Sequence, residues 1–101
     1  MNPYLSCSEP NFWLSCLIID ESSMNKVNPE MIRLALEAEN IESRPIWKPM
    51  HLQPVFDGYD FISASGDAGA DIFKRGLCLP SDIKMTEEEQ NRVIEIVKGL
   101  F

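Results

Sequence analysis

The sequence is poor in the groups that mark metal, disulfide and nucleic-acid chemistry. It has one histidine, His51, and three cysteines, Cys7, Cys16 and Cys78, with no CxxC pair. A structural zinc site needs four closely organised ligands, and His51 is far along the chain from every thiol. An odd cysteine count does not suit a secreted disulfide scaffold, which pairs its thiols densely and in even number. Cys16 and Cys78 stand in apolar runs and read as small buried hydrophobes. Nine lysines and arginines face 16 acids, a net charge of -7, so the cationic surface that neutralises duplex phosphates is missing. The same deficit disfavours an anionic membrane surface. No apolar run approaches the roughly 18 residues of a transmembrane helix; the longest, 12–19, is interrupted by Ser15. Residues 1–8 have neither the basic flank nor the apolar stretch of a signal peptide. A nucleophile elbow, a P-loop lysine and a dinucleotide fingerprint are all lacking. These absences leave a soluble intracellular protein, expected in the cytoplasm, with neither nucleic acid nor membrane as partner.

What is present suits one folded domain. The 101 residues are 45% hydrophobic and 25% charged, ordinary for a globular chain. Residues 12–20 are β-branched and aromatic on both alternating faces, which predicts a largely buried strand. After a loop over 21–27, Asn28-Pro29-Glu30 supplies an N-cap, a first-turn proline and an acid. Met31, Leu34, Ala35 and Ala38 then mark one helical face, and Asn40 a stop. A second strand is predicted over 41–47. Pro45, Pro49 and Pro54 make the following stretch an ordered, irregular loop with a short helical turn near 52–56. Residues 57–66 read as a polar, mobile loop. Residues 67–75 read as a short helix stopped by Gly76, followed by a strand over 77–79 that Pro80 ends. Thr86 and Glu89 form a capping box before a last helix, whose apolar face is Val93, Ile94, Ile96, Val97 and Leu100. The simplest arrangement is an α/β two-layer sandwich: a small, mostly antiparallel sheet with helices packed on one face.

Charge is distributed unevenly. Residues 43–56 contain Arg44, Lys48 and His51 but no acid, while the other 87 residues hold seven basic residues against the 16 acids. As an anion site, this loop would use Arg44 to grip a phosphate or carboxylate, Lys48 as a point charge and Trp47 as a stacking face. As plain structure, Arg44 would pair with an acid, Trp47 would be core, Lys48 solvated and His51 a satisfied structural histidine. Composition alone leaves both readings open. No residue is assigned a catalytic, cofactor-binding or metal-binding role.

Three stretches carry a family resemblance: NFWLSCLIID over 11–20, LEAENIESRPIWKPMHLQPVF over 36–56, and DIFKRGLCLPS over 71–81 with the helix start Met85-Thr86-Glu87-Glu88. Together, over residues 9–101, they resemble the C-terminal small domain of the DegT/DnrJ/StrS family of PLP-dependent nucleotide-sugar aminotransferases. The resemblance implies a fold-type I enzyme, similar to aspartate aminotransferase, that passes an amino group, usually from glutamate, to a keto group of a nucleotide-linked sugar. It implies a homodimer, and a large domain holding PLP, the Schiff-base lysine and the aspartate partner of the pyridine nitrogen. None of Lys26, Lys48, Lys74, Lys84 and Lys98 stands in the family's Schiff-base motif. The chain would then be one domain of such an enzyme, inactive alone and with no PLP bound. The resemblance also turns Arg44, Lys48 and His51 toward the diphosphate or sugar, with Trp47 as a wall. Proton transfer would belong to the absent lysine rather than to His51. A free-standing binding module reusing the fold is the alternative, motivated by a chain that starts at Met1 and ends just after a well-formed helix.

Overall fold

The computed structural model describes residues 4–101, so the first three positions of the signal-peptide expectation lie outside the described residues. Three strands form one antiparallel sheet: β1 (Ser15–Ile18), β2 (Arg44–Pro45) and β3 (Gly76–Leu79), in the order β1-β3-β2. Helices α1 (Pro29–Ala38), α2 (Ala68–Arg75) and α3 (Glu87–Lys98) complete it. Helices pack on one face of the sheet, so the α/β sandwich expected from the element order is the fold. None of the described helices is long and apolar enough to cross a membrane.

Helix α1 shows why these residues fold as they do. Asn28 Oδ1 accepts from the Met31 amide at 2.9 Å, and Pro29 follows at the first helical position. At the other end Asn40 takes a left-handed φ of 58°. Its amide donates to Glu37 O and that of Ile41 to Leu36 O, both at 2.9 Å, which is a Schellman closure. The buried face, however, is Ile32 and Leu36, both 0% exposed. The expected face of Met31, Leu34 and Ala38 points outward, and only Ala35 of that set is half-buried. Ala38 and Ala35 add little area, so Ile32 and Leu36, the two large branched residues one turn apart, decide which stripe turns inward.

The core is small. Ile19, Val27, Ile32, Leu36, Leu77 and Val93 form it, with Leu17, Ile41, Leu79, Ile96, Val97 and Leu100 packed around them. Of the apolar face expected on α3, Ile94 is the exception and stays exposed. Strand β3 is central and buried over 76–78, whereas β1 is a half-exposed edge. The expectation of a largely buried first strand is therefore corrected: only 15–18 pair, and Trp13 and Ile18 are exposed. Likewise the second strand shrinks from 41–47 to Arg44–Pro45, because prolines withdraw ladder donors. The helical turn expected near 52–56 is two 3₁₀ turns, Met50–Leu52 and Pro54–Phe56.

Gly76 ends α2 for a reason other than a left-handed cap. Strand β3 begins at that residue with φ -103°. A Cβ there would lie 2.5 Å from Ile46 Cγ1 and 2.6 Å from Ile72 O, so only glycine lets the strand pass beneath Ile46. Arg75 then donates from Nη1 to Ile19 O at 2.9 Å, and the Ile19 amide donates to Arg75 O at 2.9 Å. The junction of α2 and β3 is thereby fastened to the end of β1.

Candidate functional site

An open groove of about 720 Å³ runs along the sheet where β2, the segment before β1 and the turn after β3 meet. Its base follows from strand register. Leu77 points into the core, so its neighbour Cys78 belongs to the other sheet face. Cys78 is paired across β3 with Cys16 on β1 and with Arg44 on β2, which places these three on one transverse row. Cys78, Arg44, Trp13 and Trp47 all line the groove.

Arg44 is held lightly. Its Nε and Nη2 reach Glu42 Oε1 at 2.7 and 2.6 Å, but both side chains are more than two-thirds exposed. An exposed pair of this kind contributes about 0–1 kcal/mol, so an incoming anion can take the guanidinium from Glu42. Trp47 is not core, as the structural reading of the loop required. It is 64% exposed, with its ring centroid 6.0 Å from that of Trp13 and the planes inclined by 44°. Two large aromatic faces thus stand at the groove mouth, where a planar group can stack.

His51 is oriented elsewhere. Its Nε2 lies 2.6 Å from Asp67 Oδ2, and its ring stacks on Phe61 with centroids 3.7 Å apart. Since a carboxylate only accepts, Nε2 is the donor and Nδ1 is left as the ring's other polar atom. Asp67 in turn caps α2, its Oδ1 accepting from the Ala70 amide at 2.9 Å. That backbone bond, aided by His51, holds the Asp67 carboxyl below its ordinary value against the opposing effect of burial. Lys48 is exposed, and its carbonyl accepts from Gln53 Nε2 at 3.2 Å, which braces the proline loop.

The four residues expected at the site therefore divide. Arg44 and Trp47 line the groove, whereas Lys48 and His51 are outside its lining, His51 turned toward the start of α2. Sequence reasoning missed Trp13, Lys84 and Arg92, which also line it. Arg92 sits next to buried Val93 on α3 and bonds Glu39 at 2.7 Å; its spacing marks only a polar helix face. In space the acid-free loop is balanced, since Glu42, Asp82 and Glu89 share the groove with Arg44, Lys84 and Arg92. Ser43 Oγ is buried in the groove wall with no hydrogen-bond partner among the described residues. Such an atom costs about 1–3 kcal/mol until a partner meets it.

The lysines can be compared with what a Schiff base to PLP needs. A lysine that forms a Schiff base is desolvated so that it can deprotonate, yet all five lysines here are exposed.

Three comparisons bear on this geometry. The model of the DegT/DnrJ/EryC1/StrS aminotransferase family matches residues 5–98. The chain is 46% identical over 101 residues to EpsN of Bacillus subtilis (strain 168), provisionally named a pyridoxal phosphate-dependent aminotransferase. That alignment takes in 98% of this chain but 25% of EpsN, so the chain spans about a quarter of the relative's length. It is also similar to the crystal structure of a DegT DnrJ EryC1 StrS aminotransferase from Brucella abortus. There the TM-score is 0.63 and the identity 27%, covering 72% of this chain and 20% of that one.

Proposed function

The chain belongs to the DegT/DnrJ/EryC1/StrS aminotransferase family, and from that premise we propose that it is the C-terminal small domain of a PLP-dependent nucleotide-sugar aminotransferase. The whole enzyme is a cytoplasmic homodimer that moves an amino group from glutamate to a keto group of a nucleotide-linked sugar, PLP supplying the electron sink when bound in the large domain. This domain forms one wall of the substrate cleft and is inactive alone. The observation that carries the reading is the disproportion of the match, nearly all of this chain against a quarter of its relative. The exposure of every lysine agrees with it.

The wall works through its own side chains. Arg44 exchanges Glu42 for a phosphate oxygen pair, a charge-assisted and bidentate contact. Trp47 and Trp13 offer ring faces to a planar group, and Lys48 adds charge at the rim. His51, fixed through Nε2 by Asp67, presents Nδ1 to a sugar hydroxyl. The unpartnered Ser43 hydroxyl supports a ligand or neighbouring domain at the groove wall.

A segment exchange tests this. Residues 1–101 replace the matched quarter of EpsN, and PLP-dependent amino transfer to nucleotide-linked keto sugars is assayed beside the isolated chain. The exchanged protein is expected to be active, and Arg44→Ala within it to raise KM for the sugar nucleotide at least about tenfold, since a bidentate contact to a charged group is lost and only the weak Glu42 pair is given up to form it. The chain alone should fix no PLP on any lysine after borohydride trapping. A folded but inactive exchange, or stoichiometric trapping on one lysine of the isolated chain, would overturn the proposal.

A further inference from the structure

Two of the three cysteines meet in the fold although 62 positions separate them. Cys16 and Cys78 are register partners on β1 and β3, and their Sγ atoms are 3.6 Å apart. Directly opposed residues of an antiparallel pair have Cα atoms about 4.5–5.5 Å apart, within the roughly 4.4–6.8 Å that a disulfide spans. Register pairing thus puts the two residues in the range of a bridge, and their Sγ atoms need to approach by about 1.6 Å to reach the S–S bond length. The two thiols differ in setting. Cys78 is buried in the central strand, and burial together with its bond to Cys16 pushes it up to about 11. Cys16, on the edge strand, is half-buried and is the one a reagent reaches first. Cys7 is exposed near the N-terminus.

We propose that Cys16 and Cys78 form a dithiol site, oxidised reversibly by low-molecular-weight disulfides to a cross-strand bridge between β1 and β3. The Cys16 thiol loses its proton and attacks one sulfur of a small disulfide such as oxidised glutathione. A bond forms between Cys16 and that sulfur, the reagent's own S–S bond breaks, and one small thiol leaves with the proton. Cys78 then gives up its proton and attacks Cys16 Sγ in the mixed disulfide. The second small thiol departs with that proton, so the protein loses two electrons and two protons and the reagent gains both. A high pKa leaves little Cys78 thiolate, which protects it from outside reagents. Toward Cys16 the 3.6 Å separation offsets this, because the attack is intramolecular and already in contact. Since Arg44 completes the same row, the bridge would lie on the strand position opposite Arg44, in the wall of the groove.

The test uses the whole chain with Cys7→Ser, an exposed change that spares the core. It is incubated with oxidised glutathione, quenched in acid, and read by intact mass and non-reducing peptide mapping. The expected result is a loss of about 2 Da, the two thiol hydrogens. A Cys16–Cys78 peptide link, no retained glutathione and full recovery on adding dithiothreitol should accompany it. The further change Cys16→Ser should abolish that loss. The proposal fails if glutathione stays on Cys16 without closing, if the link joins two chains, or if the folded chain stays reduced while its urea-unfolded form oxidises.

Discussion

Asp67 serves two neighbours at once, capping α2 through Oδ1 and holding His51 through Oδ2. Its carboxyl is held below the ordinary 3.8, chiefly by the Ala70 amide. A group whose folded pKa is depressed adds stability above its unfolded value and loses it as pH falls through the folded one. Asn can still cap a helix but carries no charge, so Asp67→Asn isolates the carboxylate. Melting temperatures recorded from about pH 7 down to about pH 3 should show the variant less stable than wild type near neutrality and converging with it in acid. A constant gap across that range would mean that the charge of Asp67 contributes nothing. The variant should still soften in acid, because Asp20, Glu30, Asp71 and Glu89 are held low by their own hydrogen bonds. The partner of His51 was not legible in the sequence, since 16 positions separate the two and no local pattern joins them. Arg44 and Trp47 were legible as a charged and aromatic pair, and so was an acid beside Arg44, which is Glu42; that Asp82 and Glu89 share the groove was not.

At the scale of elements, the sequence showed where helices start and stop because caps are local chemistry. Asn28, Asp67 and Thr86 each receive the amide bond that their side chains were suited to accept. The Thr86–Glu89 box is complete in both directions. Which side of a helix faces inward is settled by the partner surface, and there the pattern misled. Met31, Leu34, Ala35 and Ala38 keep helical spacing, yet Ile32 and Leu36 meet Leu77 and Val93 in the core. The length of β2 was misjudged because the strand ends at Pro45, which has no amide to give the ladder. The orientation of α1 has a direct test. Leu36→Ala should lower the unfolding free energy by about 3 kcal/mol, the usual loss for a fully buried leucine. Leu34→Ala, at a site 49% exposed, should cost less than about 1 kcal/mol. Urea titration of both variants decides it, and equal losses would restore the face expected from spacing alone.

For the whole molecule, surface is the telling quantity. The accessible area is 8185 Å², against about 5,800 Å² for a compact monomer of this mass. The radius of gyration is 15.6 Å, where about 13 Å is usual for such a length. The surplus, about 2,400 Å² on this chain alone, exceeds the about 800 Å² that each partner contributes to a stable interface of standard size. Apolar side chains stand within that surface, among them Trp13, Ile18, Met31, Leu34 and Trp47. On the proposed function, the other three-quarters of the enzyme covers part of it. Alone, the chain should bury it against copies of itself. Sedimentation equilibrium is expected to give a weight-average mass above 11.5 kDa that rises with protein concentration. The salt dependence identifies the cause. Each copy carries a net charge of -7, so repulsion opposes an apolar contact and screening strengthens it. An interface built on ion pairs would weaken instead. Association that grows with salt, together with falling acrylamide access to the tryptophans, is therefore the expected signature. A monomer at every concentration, with both tryptophans shielded from the outset, would show that the chain covers this surface unaided.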